Sequence, residues 1–300
     1  MEKKFNILRK AISYETNESW TTVPHVTFIY EADATELINE FNRLNEKNNQ
    51  SLKLTINTLL LKICTEAIKA APQVNAHIKY NPKRITGEIK VIKSINITMP
   101  WALENGEIIP ITLRNFEDKT LVEMQEYINK TAQKIANCNL HIPMYQAAAN
   151  TLIKEMKKGH LLKGIHAFIG MTLDKSKPNK KDIKEYDKIP LDNKITPDDL
   201  QPGTITISNG GSICKELKGF VGIFNIATPQ IFAIGICSIQ EKPCVIKNEN
   251  NEKSIEIRKV IPLCFAFDHR ALNFDEVVPV IQKVEYIFEH SELLRNWYSK

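Results

Sequence analysis

The sequence predicts a protein of the α/β class (α+β), in which helices lie against a mixed β-sheet. Strand-like and helix-like stretches follow one another without the regular alternation of a purely parallel sheet. Residues 54–71 are apolar on most helical faces, which is typical of a helix buried against other elements. Asn105-Gly106, between two β-rich runs, is a strong signal for a hairpin and hence for antiparallel pairing.

Helices are predicted at about 35–47, 54–71, 120–136, 138–160 and 275–289, with a shorter one after the last. Asp33 or Thr35 can cap the first helix. Pro72 ends the second helix, because the residue before a proline disfavours helical geometry. Thr120 with Glu123 forms a capping box for the third.

Strands are predicted at 23–32, within 89–113, and at 203–209, 219–227, 230–239 and 254–268. Between them, residues 161–173 form a short apolar stretch. Residues 174–188 are charged and interrupted by proline, which predicts a solvated loop. We find no internal repeat and none of the common glycine-rich nucleotide-binding loops.

The composition is that of an ordinary globular protein, with 43% hydrophobic and 25% charged residues. A formal charge of +5 is small for 300 residues and the lysines are scattered, so no nucleic-acid partner is expected. The six cysteines form no CxxC pair, which favours core thiols in a reducing compartment. Lacking a signal-peptide-like start and any apolar run of about 18 residues, the sequence predicts a cytoplasmic protein outside membranes.

His269 differs from the other six histidines in its setting. A β-branched and aromatic strand carries it out of the predicted core, and Asp268, Arg270 and Asn273 surround it just before a helix begins. Such a junction can hold a side chain rigid and accessible. A structural histidine is the common case, so the setting alone leaves both the structural and the catalytic interpretation open.

The run FDHRALNF resembles the HxxxDG active-site motif of the chloramphenicol acetyltransferase-like superfamily. DHR resembles more closely the catalytic domain of the acyltransferases of 2-oxo acid dehydrogenase complexes. Further matches to that family follow in order: RKAI (9–12), WTTVPHVTFIYEADATEL (20–37), APQVNA (71–76), NGEIIPITLRNFEDKTLVEM (105–124), LQPGTITISNGG (200–211) and ATPQIFAIGI (227–236). The resemblance covers nearly all the chain except about 138–190.

The resemblance implies a single acyltransferase catalytic domain over 1–300, with an atypical insert at about 138–190. It implies a chloramphenicol acetyltransferase-like fold, a mixed sheet flanked by helices that assembles as a homotrimer or a larger assembly of trimers. His269 would be the general base, which takes the proton of a thiol that is mostly protonated at neutral pH. Ser208 of an adjacent chain would stabilise the oxyanion, although an ordinary strand-end serine is the alternative. Asn273 would orient the imidazole or its backbone.

The chain departs from the family at several positions. Phe274 stands where the family has glycine, so its side chain is expected to crowd the turn or narrow the active-site channel. The family's SNLG is SNGG here, from Ser208 onwards. Arg9 matches an arginine that can pair with an aspartate, and the pair is lost because Asn273 replaces the acid. The remaining neighbours, Asp268 and Arg270, are expected to form a structural ion pair, and His25 to be a packing or interface residue.

The implied substrate is coenzyme A or acyl-CoA, with no metal. The chain begins almost directly at the catalytic domain, so we expect it to stand alone, without a lipoyl domain. A lipoyl group on a separate protein, or an acyl-carrier protein, would then be the partner. Two alternatives stay open: an O- or N-acyltransferase acting on a small molecule, and a catalytically reduced structural paralogue of the dehydrogenase-complex core.

Overall fold

In the computed structural model the chain forms two compact units. The first comprises Met1–Thr21 and Tyr127–Pro202, and the second comprises Thr22–Glu126 and Gly203–Lys300. The structure describes residues 5, 7–47, 52–104, 106–157, 178–213, 215–222, 225–247 and 250–298. The predicted apolar stretch 161–173 therefore lies outside the described residues.

The helices and strands are numbered in chain order. The helices are α1 (Ile7–Thr22), α2 (Thr35–Lys47), α3 (Ile56–Ala70), α4 (Leu121–Asn137), α5 (His141–Lys157), α6 (Lys180–Lys188), α7 (Phe274–Glu289) and α8 (Leu294–Trp297). The strands are β1 (His25–Asp33), β2 (Ala76–Asn81), β3 (Thr86–Val91), β4 (Ile97–Ala102), β5 (Ile108–Leu113), β6 (Ile205–Asn209), β7 (Phe232–Ile236), β8 (Gln240–Lys247) and β9 (Lys253–Asp268).

The second unit is built on a seven-stranded mixed sheet in the order β1-β9-β7-β6-β4-β5, with β8 paired to the first half of β9. Strand β6 runs parallel to both of its neighbours, and the other pairings are antiparallel. This arrangement confirms the predicted mixed sheet. The turn between β4 and β5 also forms as predicted, with Gly106 at a φ of 80°, a conformation that glycine adopts without strain.

The two faces of this sheet differ in side-chain size. One face carries large apolar residues such as Ile207, Ile234 and Phe265, which the register aligns across β6, β7 and β9. This face lies against α3 and α7, since Met99 contacts Asn57 and Phe267 contacts Phe274. The opposite face carries small residues, and its Ala233 and Ala266 are covered by Val23 and Ile226.

Strands β2 and β3 pair with each other in a separate antiparallel hairpin. Sequence patterning predicted neither β2 nor β8. The strand predicted at 219–227 is wrong: its described residues form no strand, and Gly219 has a φ of 151° that breaks an extended run. Among the residues the structure describes, no helix is long and apolar enough to cross a membrane.

The first unit contains α1, most of α4, α5 and α6. The capping box predicted for α4 is present, because Thr120 N–H donates to Glu123 at 2.8 Å and Glu123 N–H donates to Thr120 Oγ1 at 3.2 Å. The solvated loop predicted at 174–188 is wrong over its second half, which forms α6. Its Tyr186 is buried, and the hydroxyl donates to the carbonyl of Ile195 at 2.8 Å.

Candidate active site

Strand β9 delivers His269 to the surface of the second unit. Its last nine residues are buried between β1 and β7, and the chain leaves the sheet at Asp268. His269 is exposed, and its N–H donates to the carbonyl of Pro24 at 3.1 Å, so the backbone stays tied to the strand next to it. A rigid strand therefore carries an accessible imidazole, as the sequence predicted.

The imidazole of His269 is held in one orientation. Its Nδ1 lies 3.1 Å from the carbonyl oxygen of Leu272, and its ring meets Phe267 edge-on at a centroid distance of 5.8 Å. A carbonyl oxygen only accepts hydrogen bonds, so in the neutral ring the proton resides on Nδ1. The lone pair of Nε2 is consequently the one that can accept a proton, which is the protonation state that a general base requires.

Asp268 and Arg270 lock the turn that contains His269. Asp268 is completely buried and accepts hydrogen bonds from the Arg270 side chain, at 2.9 Å from Nε and 2.6 Å from Nη2, and from the Arg270 backbone N–H at 2.9 Å. The guanidinium also lies over the ring of Tyr80, 5.2 Å from its centroid. The predicted local ion pair is thus observed, and its geometry is structural.

Asn273 begins α7 as its N-cap. It forms a capping box with Glu276, whose carboxylate accepts from the Asn273 N–H at 2.9 Å. The atom that holds the imidazole is the carbonyl of the preceding residue, Leu272. Of the two predicted roles of Asn273, this geometry favours the one exerted through the backbone, because the Asn273 N–H held by Glu276 and the Leu272 carbonyl belong to the same peptide group.

Phe274 is the first residue of α7, and its helical backbone is unstrained. Its ring lies 5.5 Å from that of Phe28 and 6.4 Å from that of Phe267. The expectation that a side chain here would crowd the turn is therefore wrong, since the ring packs outward over the edge of the sheet. It remains 43% exposed beside 36% for Phe28, and the rings of Phe274 and His269 both contact the ring of Phe267.

Ser208 lies near the end of β6, on the small-residue face, opposite Gly235 of β7. The next residue, Asn209, accepts from the Ser212 N–H at 3.1 Å and donates to Asn57 at 3.0 Å, which fixes the turn after the strand. Gly211 is required there, because a Cβ would lie 2.5 Å from the Cys237 carbonyl oxygen. At Gly210, where the family has leucine, the nearest atom is 3.7 Å away, so close packing does not impose a glycine.

Within one chain Ser208 and His269 do not meet. The register places Ser208 level with Gly235 and Cys264, and Cys264 precedes His269 by five residues. Five residues at about 3.3 Å each and two strand spacings of about 4.8 Å separate their Cα atoms by about 19 Å. Side chains of this length cannot bridge that separation to act on the same atom.

Two further predicted residues have other positions. His25 uses both ring nitrogens, since Nδ1 lies 2.8 Å from the Val23 carbonyl and Nε2 accepts from the Ile226 N–H at 3.2 Å. This agrees with a packing role. Arg9 lies on α1, in the first unit. Among the described residues, no group of three or more His, Cys, Asp or Glu side chains is arranged to hold a metal ion.

Sequence reasoning missed two participants in this site. The carbonyl of Leu272 orients the imidazole, and Tyr80 of the β2–β3 hairpin packs on Arg270. The first is a main-chain atom and has no sequence signal. The second depends on contact across 190 positions of the chain, although an aromatic residue that is 40% exposed on a hairpin is a weak signal.

Solved structures with this fold identify its class. The probable dihydrolipoamide acetyltransferase of Listeria monocytogenes superposes with a TM-score of 0.64 at 20% identity, covering 97% of this chain and 95% of that chain. The dihydrolipoamide acetyltransferase of Azotobacter vinelandii, investigated for a serine, a histidine and an asparagine in its catalytic mechanism, gives 0.65 at 19%, covering 98% and 93%. The fold is therefore that of dihydrolipoamide acetyltransferase catalytic cores.

The sequence comparison narrows the class to a family. The model described as 2-oxoacid dehydrogenases acyltransferase (catalytic domain) matches residues 2–153 and 178–295, and the chain belongs to this family. The lipoamide acyltransferase component of the branched-chain alpha-keto acid dehydrogenase complex of Bacillus subtilis is 26% identical over 270 residues. That alignment covers 89% of this chain and 47% of the relative, so the chain spans about half the relative's length. Residues 154–177 are the internal stretch without a match; the insert at about 138–190 stays a prediction.

Proposed function

We propose that this chain is a CoA-dependent acyltransferase that moves an acyl group between a CoA thioester and a thiol, of dihydrolipoyl or carrier-protein type. The observation that carries the proposal is the hydrogen bond from His269 Nδ1 to the Leu272 carbonyl, which leaves Nε2 as the proton acceptor on an exposed ring. Because the chain belongs to the acyltransferase family, acyl transfer is the reaction that we assign to this base.

The reaction follows from these groups. Nε2 of His269 takes the proton of the acceptor thiol as its sulfur attacks the thioester carbonyl carbon. The carbonyl oxygen becomes an oxyanion, and the Ser208 hydroxyl donates a hydrogen bond to it. Collapse of the tetrahedral intermediate expels the CoA sulfur, which receives the proton back from the imidazolium. Asn273 acts as a positioning residue, through the α7 cap.

An active site formed by two copies of the chain would bring the two separated catalytic groups together. With about 19 Å between them in one chain, His269 would act with Ser208 of an adjacent copy. We propose a homotrimer, or a larger assembly of trimers, with one such site at each interface. The Azotobacter enzyme was investigated for the roles of the same three residue types, and its asparagine also follows its histidine by four positions, as Asn273 follows His269.

The proposed extent and partners follow the family. We propose one catalytic domain over residues 1–300, with the insert at about 138–190. Coenzyme A takes part as a substrate. The second substrate would be a lipoyl group or an acyl-carrier protein supplied by another chain.

Thiol release from a panel of acyl-CoAs, with thiol, alcohol and amine acceptors, tests this function. His269→Ala is expected to lower kcat/KM for thiol acceptors by about 10²–10⁴-fold, the usual contribution of general base catalysis. His290→Ala is the matched control, because His290 follows the opposite end of α7, about 26 Å along the helix axis from Asn273.

The other outcomes separate the alternatives. Preference for an alcohol or amine acceptor would favour a small-molecule O- or N-acyltransferase. No turnover by the wild type across the panel, with an intact trimer, would favour a catalytically reduced structural paralogue. Phe274, in place of the family glycine, is the observation that favours testing for a catalytically reduced paralogue.

A further inference from the structure

The β2–β3 hairpin is exposed and carries a net positive charge. Every residue from Lys79 to Val91 is exposed. The segment from His77 to Lys93 contains five basic residues and one acidic residue: Lys79, Lys83, Arg84, Lys90 and Lys93, against Glu88. Taking these from the chain's 40 basic and 35 acidic residues leaves 35 against 34. The rest of the chain therefore sums to nearly zero, and this hairpin is a local excess of four positive charges.

The hairpin separates its charges from its apolar residues. Residues paired across an antiparallel ladder share a face, and the register puts Tyr80 with Gly87 and Ile78 with Ile89 on one face. The other face carries Lys79 opposite Glu88 and Lys90 opposite His77. We name this second face, together with the tip residues Lys83 and Arg84, the basic face.

The tip of the hairpin has a defined shape. The side-chain oxygen of Asn81 accepts from the backbone N–H groups of Lys83 and Arg84, at 3.1 and 3.3 Å. This local turn presents the two cationic side chains without using them in its own hydrogen bonds. Reversing their charge therefore leaves the turn's bonds in place.

The apolar face of the hairpin contacts the turn that contains His269. Tyr80 lies under the guanidinium of Arg270, which buried Asp268 holds and which directly follows His269. Ile78 N–H also donates to the carbonyl of Pro229, three residues before β7 begins, at 2.9 Å. The hairpin consequently has a fixed position next to Arg270, the residue after His269, and its basic face is on the side of the ladder opposite the Tyr80 contact.

We propose that the basic face is the docking surface for an acidic protein that carries the thiol or thioester to His269. This inference rests on the proposed function. The cationic groups are spread over about 14 Å of strand plus the tip, so they match an extended acidic surface better than one compact anion. No aromatic residue lies on the same face, which disfavours a single-stranded nucleic acid. Complementary charge of this kind steers association more than it tightens the final complex.

Reversing the charge at the tip tests the inference. The variant is Lys83→Glu with Arg84→Glu, and the two acceptors are a recombinant acidic lipoyl domain in its reduced form and free dihydrolipoamide. The matched control is Lys247→Glu with Lys253→Glu. This pair is exposed, changes the charge equally and lies opposite one another at the start of β9, about 50 Å of strand before His269.

With the lipoyl domain, the tip variant is expected to lose about tenfold or more in kcat/KM at low ionic strength, and the loss should shrink as salt is added. Its rate with free dihydrolipoamide, and both rates of the control, should stay within about twofold of wild type. Equal rates of tip variant and control with the lipoyl domain would overturn the inference, as would an equal loss with both acceptors. A raised KM for acyl-CoA alone would overturn it in favour of a phosphate site. If the wild type transfers to neither acceptor, the proposed function itself fails.

Discussion

Mixing two inactive variants tests whether each active site is shared between copies of the chain. His269→Ala removes the base and Ser208→Ala removes the oxyanion donor. Each variant alone is expected to lose about 10²-fold or more in kcat. Because about 19 Å separates the two residues in one chain, intact groups must come from different copies. Each variant still supplies the residue that the other lacks.

The recovered activity can be calculated from the assembly. In a cyclic oligomer each interface joins the histidine side of one chain to the serine side of the next. With equal amounts of the two variants assembled at random, about one quarter of the interfaces contain both intact residues. The mixture should therefore show about 25% of the wild-type specific activity, against about 1% for either variant alone.

Co-expression of equal amounts of the two variants, followed by purification on one tag that both carry, keeps the random distribution of assemblies for a thiol-transfer assay. Wild type mixed equally with the double variant is the control. It should retain about one quarter of full activity if sites are shared and about one half if each chain completes its own. Mixed single variants that are no more active than the sum of the separate proteins would refute the shared site.

Two predictions concern stability. Gly211→Ala should destabilise the fold by about 1–3 kcal/mol, because its Cβ would lie 2.5 Å from the Cys237 carbonyl oxygen; Gly210→Ala, with 3.7 Å to its nearest atom, should change little, and equal urea midpoints would contradict this. Burial raises the pKa of Asp33, but hydrogen bonds from Thr35 and Arg258 outweigh it and lower this pKa below its ordinary value. The stabilisation is then fully present above about pH 4 and is lost as pH falls through the lowered pKa. Asp33→Asn should therefore reduce the decline of the urea midpoint as pH falls below about 4, and an unchanged decline would contradict this.

Local signals accounted for the parts of the fold that the sequence predicted correctly. The Thr120–Glu123 box and the turn at Gly106 act over a few residues, and both are formed. Helix α6 could not be predicted in this way, because Tyr186 is buried through contacts with Lys194 and Ile195 that follow the helix. Its charged composition indicated solvent on every side, whereas one tyrosine provides the buried face.

The candidate site divides in the same manner. His269 and its charged neighbours are visible in the sequence because side-chain identity marks them. The separation from Ser208 becomes visible only when the register of β6, β7 and β9 is known. The effect of Phe274 on the turn could not be predicted from the sequence either. It depends on the direction of the ring, which points toward Phe28 and away from the turn.

The carbonyl of Leu272 has a consequence for how this protein can change over generations. Every amino acid supplies the same carbonyl, so drift at position 272 leaves the acceptor for the imidazole in place. Selection is expected to act instead on the residues that fix the main chain around this carbonyl. These are the Asp268–Arg270 pair before it and the Asn273–Glu276 cap after it. A library that randomises position 272 should retain more active members than one that randomises position 268.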